Sequence, residues 1–184
     1  MKEKGNIMNK QFNIIYADPP WYYRGGGNGG AKRHYSLMTT SEICALPVRE
    51  LAAPDCVLFL WVTFPALPET FDVIRAWGFT YKTVAFCWVK QNPKSPGWFF
   101  GMGNWTRANA EICLLATKGN PKRKAADVPQ LIVTPREEHS KKPDETRDRI
   151  VRLMGDLPRV ELFARQSPPG WDVWGNEVDS TITL

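Results

Sequence analysis

An aspartate, two prolines and a tryptophan stand together at Asp18-Pro19-Pro20-Trp21, directly after the apolar run Phe12-Asn13-Ile14-Ile15-Tyr16-Ala17. A buried strand ending this way suits a flat heterocycle held by an exocyclic amine. The prolines fix φ and bias the residues before them to extended geometry, so the carbonyls of Asp18 and Pro19 are expected to stay free as acceptors. The ionised Asp18 carboxylate accepts only, and Trp21 offers a π face. An amine with two N–H donors needs two such acceptors and a stacking wall.

The chemistry narrows further. The lone pair of adenine's amino nitrogen is delocalised into the ring, which makes it a weak nucleophile. Acceptors for both N–H groups help turn that nitrogen tetrahedral and aim its lone pair at an electrophilic methyl group. Positioning and electrostatics carry such a step, and a general base with a shifted pKa is not required. Asp18, Pro19, Pro20 and Trp21 are therefore the candidate catalytic residues.

Those residues need a frame. The 184 residues fit one domain, 1–184, and 43% hydrophobic content supplies its core. Short β-rich runs are expected as strands over 12–17, 56–62, 83–89, 111–116 and 159–164. Helical patterns fall between them at 40–44, capped by Thr40 or Ser41, at 68–77, stopped by Gly78, and at 143–154, stopped by Gly155. The alternation predicts an α/β fold, a mostly parallel sheet flanked by helices.

A second half of the site is expected at strand carboxyl ends. Glu161 and Arg165 bracket the last apolar run; a structural salt bridge and hydrogen bonds to a ribose explain them equally well. Lys142, just before the Pro143 helix, would attract a carboxylate there. Trp171 and Trp174 read as core, with a purine sandwich as the alternative. The aromatic, glycine-rich stretch 97–105, including Trp105, suits base stacking, an interface or packing beneath a long loop. The glycine-rich stretch 24–30 lacks the Lys-Ser or Lys-Thr of a P-loop and reads as a lid or a plain connection.

The net charge of +5 allows a polyanionic partner. Lys32-Arg33, Lys122-Arg123-Lys124 and Lys141-Lys142 are clustered in loops, where phosphate contact and simple solvation compete. Four cysteines without a Cys-x-x-Cys pair and two histidines argue against disulfides or a metal centre. No apolar run approaches ~18 residues. Residues 1–10 are too polar for a signal peptide, so a cytoplasmic protein without membrane partners is expected.

The order of several blocks resembles one family. Asp18-Pro19-Pro20-Trp21 is followed by His34-Tyr35-Ser36-Leu37-Met38, Phe59-Leu60-Trp61-Val62, Trp88-Val89-Lys90 and Glu111-Ile112-Cys113-Leu114-Leu115-Ala116. Then come His139-Ser140-Lys141-Lys142-Pro143-Asp144-Glu145, Glu161-Leu162-Phe163-Ala164-Arg165 and Trp174-Gly175-Asn176. This series resembles the MT-A70 family of adenine-N6 methyltransferases, in the manner of its small bacterial and phage members, from Phe12 to Val178. The resemblance implies a Rossmann-like fold with circularly permuted motif order and S-adenosylmethionine as cofactor. It implies nucleic acid as partner, DNA more than RNA, and a homodimer.

By matched position, Asp18 would meet both the target amine and the methionyl amino group, and Lys142 the methionyl carboxylate. Glu161 and Arg165 would lie at the ribose, and Asn176 at the ribose or adenine; Glu177 stands with this cofactor set where eukaryotic members carry glutamine. Tyr35 falls on the substrate side, with Lys32, Arg33, Trp105 and Lys122 as further nucleic-acid contacts. The chain departs from eukaryotic members at Gln166-Ser167-Pro168-Pro169, where they carry His-Asn. An RNA adenine methyltransferase and a non-catalytic nucleic-acid-binding subunit are the alternatives.

Overall fold

Residues Cys56 to Val62 contain no polar side chain that could face water, so this run must be covered on both sides. The computed structural model, which describes residues 10–22, 37–103, 105–137 and 141–184, places it inside β2 (Ala52–Val62) with all seven side chains buried. Around it form β1 (Phe12–Ala17), β3 (Thr80–Gln91), β4 (Ala110–Lys118), β5 (Leu131–Pro135), β6 (Arg159–Leu162) and β7 (Asp172–Trp174). They make one seven-stranded sheet in the order β5-β3-β4-β2-β1-β6-β7. The β2–β4 and β3–β4 pairings are antiparallel and the others parallel, so β4 alone runs against the rest. The sheet is mixed, and mostly parallel as expected.

Alternation along β2 divides the core. Cys56, Leu58, Leu60 and Val62 face one side, where Ile43 of α1 (Thr40–Ala45), Val48 of α2 (Val48–Leu51) and Val73 and Ile74 of α3 (Leu67–Ala76) pack. Val57, Phe59 and Trp61 face the other, against Ile150 and Met154 of α4 (Glu145–Met154). Each such buried side chain contributes about 1.5–3 kcal/mol.

Several boundaries differ from the sequence expectation. The cap of α1 is Thr39, not Thr40 or Ser41: its hydroxyl accepts from Glu42 N while Glu42 accepts from Thr39 N, a reciprocal capping box. Helix α4 begins at Glu145, with Pro143 O accepting from Thr146 N ahead of it. Strand β6 stops at Leu162 because Phe163 takes φ +61°, a left-handed conformation no strand accommodates. β5 and β7 lie where no strand is expected.

β1 sits between β2 and β6, where the order of strands reverses along the chain. In open α/β sheets a crevice forms at the carboxyl end of such a strand. Asp18 is the next residue.

Candidate active site

Asp18 follows β1, its N–H directed to Leu162 O of the neighbouring β6. The Pro-Pro step does not leave the backbone as open as expected. Pro19 O accepts from Trp21 N at 2.9 Å, and Pro20 O accepts from Met38 N at 2.9 Å. A tight turn folds Trp21 N back onto Pro19 O, and Met38, bridged to Trp21, brings its N–H to Pro20 O, so only the second lone pair of each carbonyl remains. Trp21 is just 5% exposed, packs in the core and donates its indole N–H to Trp61 O at 2.9 Å. Its ring is therefore packed in the core rather than presented as an open face.

The Asp18 side chain enters a chain of alternating charges. Lys142 Nζ lies 2.7 Å from Asp18 Oδ2 and 3.2 Å from Glu111 Oε2, and Lys90 pairs with the other oxygen of Glu111. Lys142 is only 10% exposed and sits over the Trp61 ring at 5.6 Å. Burial opposes its charge, yet Asp18 and Glu111 outweigh that and hold its pKa above the ordinary lysine value. Burial raises the Asp18 pKa, which Lys142 only partly offsets. Glu111 behaves oppositely: burial is overcome by Lys142 and Lys90, and its pKa is lowered.

A second pair lies beside the first. Glu161 receives a bidentate clasp from Arg147, with Nε to Oε2 at 2.7 Å and Nη2 to Oε1 at 2.9 Å. Burial raises the Glu161 pKa despite this partner, and Arg147 is held above the ordinary arginine value once Glu161 overcomes its own burial. Of the two readings of Glu161, the salt bridge has a partner: Arg147 on α4. Arg165 Nε bonds Glu177 Oε1 at 2.9 Å.

These groups surround a cavity of about 340 Å³, lined among others by Tyr16, Asp18, Lys142, Glu161, Phe163 and Glu177. Its charged lining holds four cations (Lys141, Lys142, Arg147, Arg165) and four carboxylates (Asp18, Glu137, Glu161, Glu177). So balanced a lining suits a ligand carrying both signs of charge better than a polyphosphate. Phe163 is the positive-φ residue, and Gly175 lets the neighbouring backbone close in: a Cβ there would stand 2.2 Å from Ala164 O. Among the described residues no group of three or more His, Cys, Asp or Glu side chains could hold a metal ion.

The structure brings Asp18, Lys142, Glu161, Arg165 and Glu177 to one cavity. Asn176 is exposed on the turn after β7 and does not line it. Trp105 is exposed on the β3–β4 loop. Lys122 lies elsewhere. β4 is antiparallel, so the segment after it emerges beside the amino end of β2, where Asn120 N bonds Asp55 Oδ1 and Lys122 bonds Asn120. That is the end of the sheet opposite Asp18, so Lys122 lies on the surface away from the cavity. Lys32, Arg33, Tyr35 and the stretch 24–30 fall outside the described residues. Trp171 meets Tyr16 edge-on at 5.9 Å and Trp174 meets Phe163 at 5.3 Å, so both tryptophans pack as core.

Sequence reasoning missed Lys90, Glu111 and Arg147. For Lys90 and Glu111 the one signal is a charge beside an apolar run, and their pairing depends on register, Trp88 opposite Glu111, which no local pattern supplies; Arg147, between Thr146 and Asp148, gives no such signal.

Comparison with known proteins fits this geometry. Residues 12–177 match the family described as MT-A70. The chain is 36% identical to a type II methyltransferase, M.MunI, of Mycoplasma sp, across 97% of this chain and 83% of that protein. It is 33% identical to an N(6)-adenosine-methyltransferase MT-A70-like protein of Arabidopsis thaliana, across 91% of this chain and 24% of that one. With the catalytic subunit METTL3 of the Homo sapiens N(6)-adenosine-methyltransferase it shares 32% identity over 97% of this chain and 30% of that subunit. The chain therefore spans most of the bacterial relative and less than a third of these plant and human ones. On these matches and this fold, the chain belongs to the MT-A70 family and is a methyltransferase.

Proposed function

We propose that this chain transfers a methyl group from S-adenosylmethionine to the N6 amine of adenine in DNA. The observation that carries the reading is Asp18: a partly buried carboxylate at the carboxyl end of β1, beside a charge-balanced cavity. The adenine assignment draws on the N(6)-adenosine relatives. The choice of DNA draws on the relative named a type II methyltransferase, of which this chain spans 83%.

The lining fits the cofactor chemically. A zwitterionic amino acid end can replace the internal Asp18–Lys142 pair by two external ones, ammonium to Asp18 and carboxylate to Lys142, leaving no charge unpaired. Glu161, oriented by Arg147, and Arg165 would hold hydroxyls; Glu177 would stand at the far end. Bound there, S-adenosylmethionine supplies a methyl group on a cationic sulfur.

The chain's own residues do the rest. Asp18 accepts one N–H of the adenine amine, and the rigid Pro19 carbonyl offers its remaining lone pair to the other. Both bonds draw the amine out of conjugation and fix its lone pair in one direction. A target inside a duplex must first leave the stack, at a cost of a few kcal/mol. The raised pKa of Asp18 means its acceptor is lost on acidification sooner than for an ordinary aspartate.

The test is incubation with tritiated S-adenosylmethionine and matched DNA or RNA oligonucleotides, followed by nucleoside identification. N6-methyladenine from DNA is expected, with Asp18→Asn slowed about 10²–10³-fold and still folded. Modification of RNA alone, or undiminished turnover by the variant, overturns the substrate or the residue assignment respectively.

A further inference from the structure

We propose that the described part of the loop joining β3 to β4, residues 92–103 and 105–109, is a stacking platform for unpaired bases of the nucleic acid flanking the target, an extension that rests on the methyl-transfer reading above. The placement comes from topology. β4 runs against β2 with Ile112 opposite Val62, so the hairpin turns at the carboxyl end of β2, the end of the sheet that holds Asp18. The loop is tied directly into the charge chain of the site: Phe99 N donates to Lys90 O, and the Lys90 ammonium pairs with Glu111, which holds Lys142.

Its side chains face the wrong way for a loop with only a packing role. Trp98 and Phe100 are half-exposed, while Met102 and Trp105 are 92% and 97% exposed. Water gains nothing from so much apolar surface, and contiguous patches of this kind mark contact sites. The backbone beneath is not slack. Gly101 N bonds Ala108 O at 2.7 Å, Arg107 donates to Gly101 O and Phe100 O, and Phe99 turns inward under the Arg136 guanidinium at 4.3 Å. Phe99 anchors the loop while its neighbours point out, a preformed surface with little left to order on binding.

Charge selects the occupant. Lys94 and Arg107 are exposed on this loop, and no aspartate or glutamate occurs between residues 92 and 109. Aromatic faces set among uncompensated cations match bases joined by phosphates. A second copy docking through the same loop would bring two more cations and no carboxylate from it to meet them, which like-charge repulsion disfavours.

Tryptophan fluorescence tests this directly, because Trp98 and Trp105 are the exposed members of the eight tryptophans; the other six are buried or partly so. A 20-mer single-stranded DNA containing adenine should shield the acrylamide-accessible emission at saturation. The Trp98→Ala/Trp105→Ala double variant should bind that oligonucleotide about tenfold or more weakly, with its dependence on salt unchanged. Lys94→Ala/Arg107→Ala should instead flatten the slope of log affinity against log salt by roughly 1.4. Shielding that fails to appear, or a tryptophan variant that binds like the parent, overturns the platform. So does sedimentation showing a parent dimer that the tryptophan variant dissociates with oligonucleotide affinity intact. Failure of the methyl-transfer reading would look different: shielded tryptophans and normal binding, but no methyladenine from the parent protein.

Discussion

Lys142→Met would remove the one cation held between Asp18 and Glu111 and leave two carboxylates facing each other. At 2.7 Å and 3.2 Å, with an effective dielectric of ~20, the lost attractions are about 6 and about 5 kcal/mol before desolvation is counted. Removing one partner of a buried pair costs about 3–5 kcal/mol net. Here the lower figure applies, because Glu111 keeps Lys90 and Asp18 can take up a proton. About 3 kcal/mol corresponds to a Tm lower by about 6–12 °C for a chain of this size.

The pH dependence is the sharper readout. In the parent, Asp18 has a raised pKa, so its contribution to stability weakens as pH rises from the ordinary aspartate value through the raised one. Glu111 has a lowered pKa, so its contribution is present above the ordinary glutamate value and is lost as pH falls through the lowered one. Without Lys142 both carboxylates shift upward, and their repulsion vanishes when they protonate. The Tm deficit should therefore be largest at neutral pH and shrink on acidification, measured by differential scanning fluorimetry between pH 5 and 8. Any residual methyl transfer should need a higher pH than the parent, because burial of Asp18 is then less opposed. A deficit that grows on acidification would refute the reasoning.

Three further outcomes test the frame. Arg147→Met leaves the Glu161 carboxylate buried without its bidentate partner and should cost about 3 kcal/mol in urea denaturation, with weaker binding of S-adenosylmethionine by calorimetry. Gly175→Ala sets a Cβ 2.2 Å from Ala164 O and 2.7 Å from Ala164 N, so the β7 turn must shift; a loss of about 1–3 kcal/mol is expected, and an unchanged midpoint would contradict the close approach. Lys122→Ala, at the far end of the sheet, should leave oligonucleotide affinity within about twofold of the parent and its salt slope unaltered, as read by fluorescence anisotropy.

The sequence alone determined what is written in local patterns. The uninterrupted apolar run 56–62 could only be a strand covered on both faces, and Gly78 and Gly155 closed their helices at φ +81° and +92°. Asp18 with its two prolines was legible as a candidate because rigid φ angles and an acidic side chain at a strand end carry their meaning within four residues. Other features needed the fold. β5 and β7 are short strands, five and three residues, whose hydrogen bonds come from β3 and β6, so nothing within them announces a strand. The partners of Lys142 and Glu161 were equally hidden. Lys142 reaches Asp18 across 124 positions of sequence, and Arg147 reaches Glu161 only because α4 lies over that face of the sheet. The reversal of β4 likewise put Lys122 at the end of the sheet away from the cavity and residues 92–103 and 105–109 at the end that holds Asp18. A local pattern fixes which groups are present and which way a strand alternates. Register and strand direction, set by burial of both faces at once, decide which charges meet.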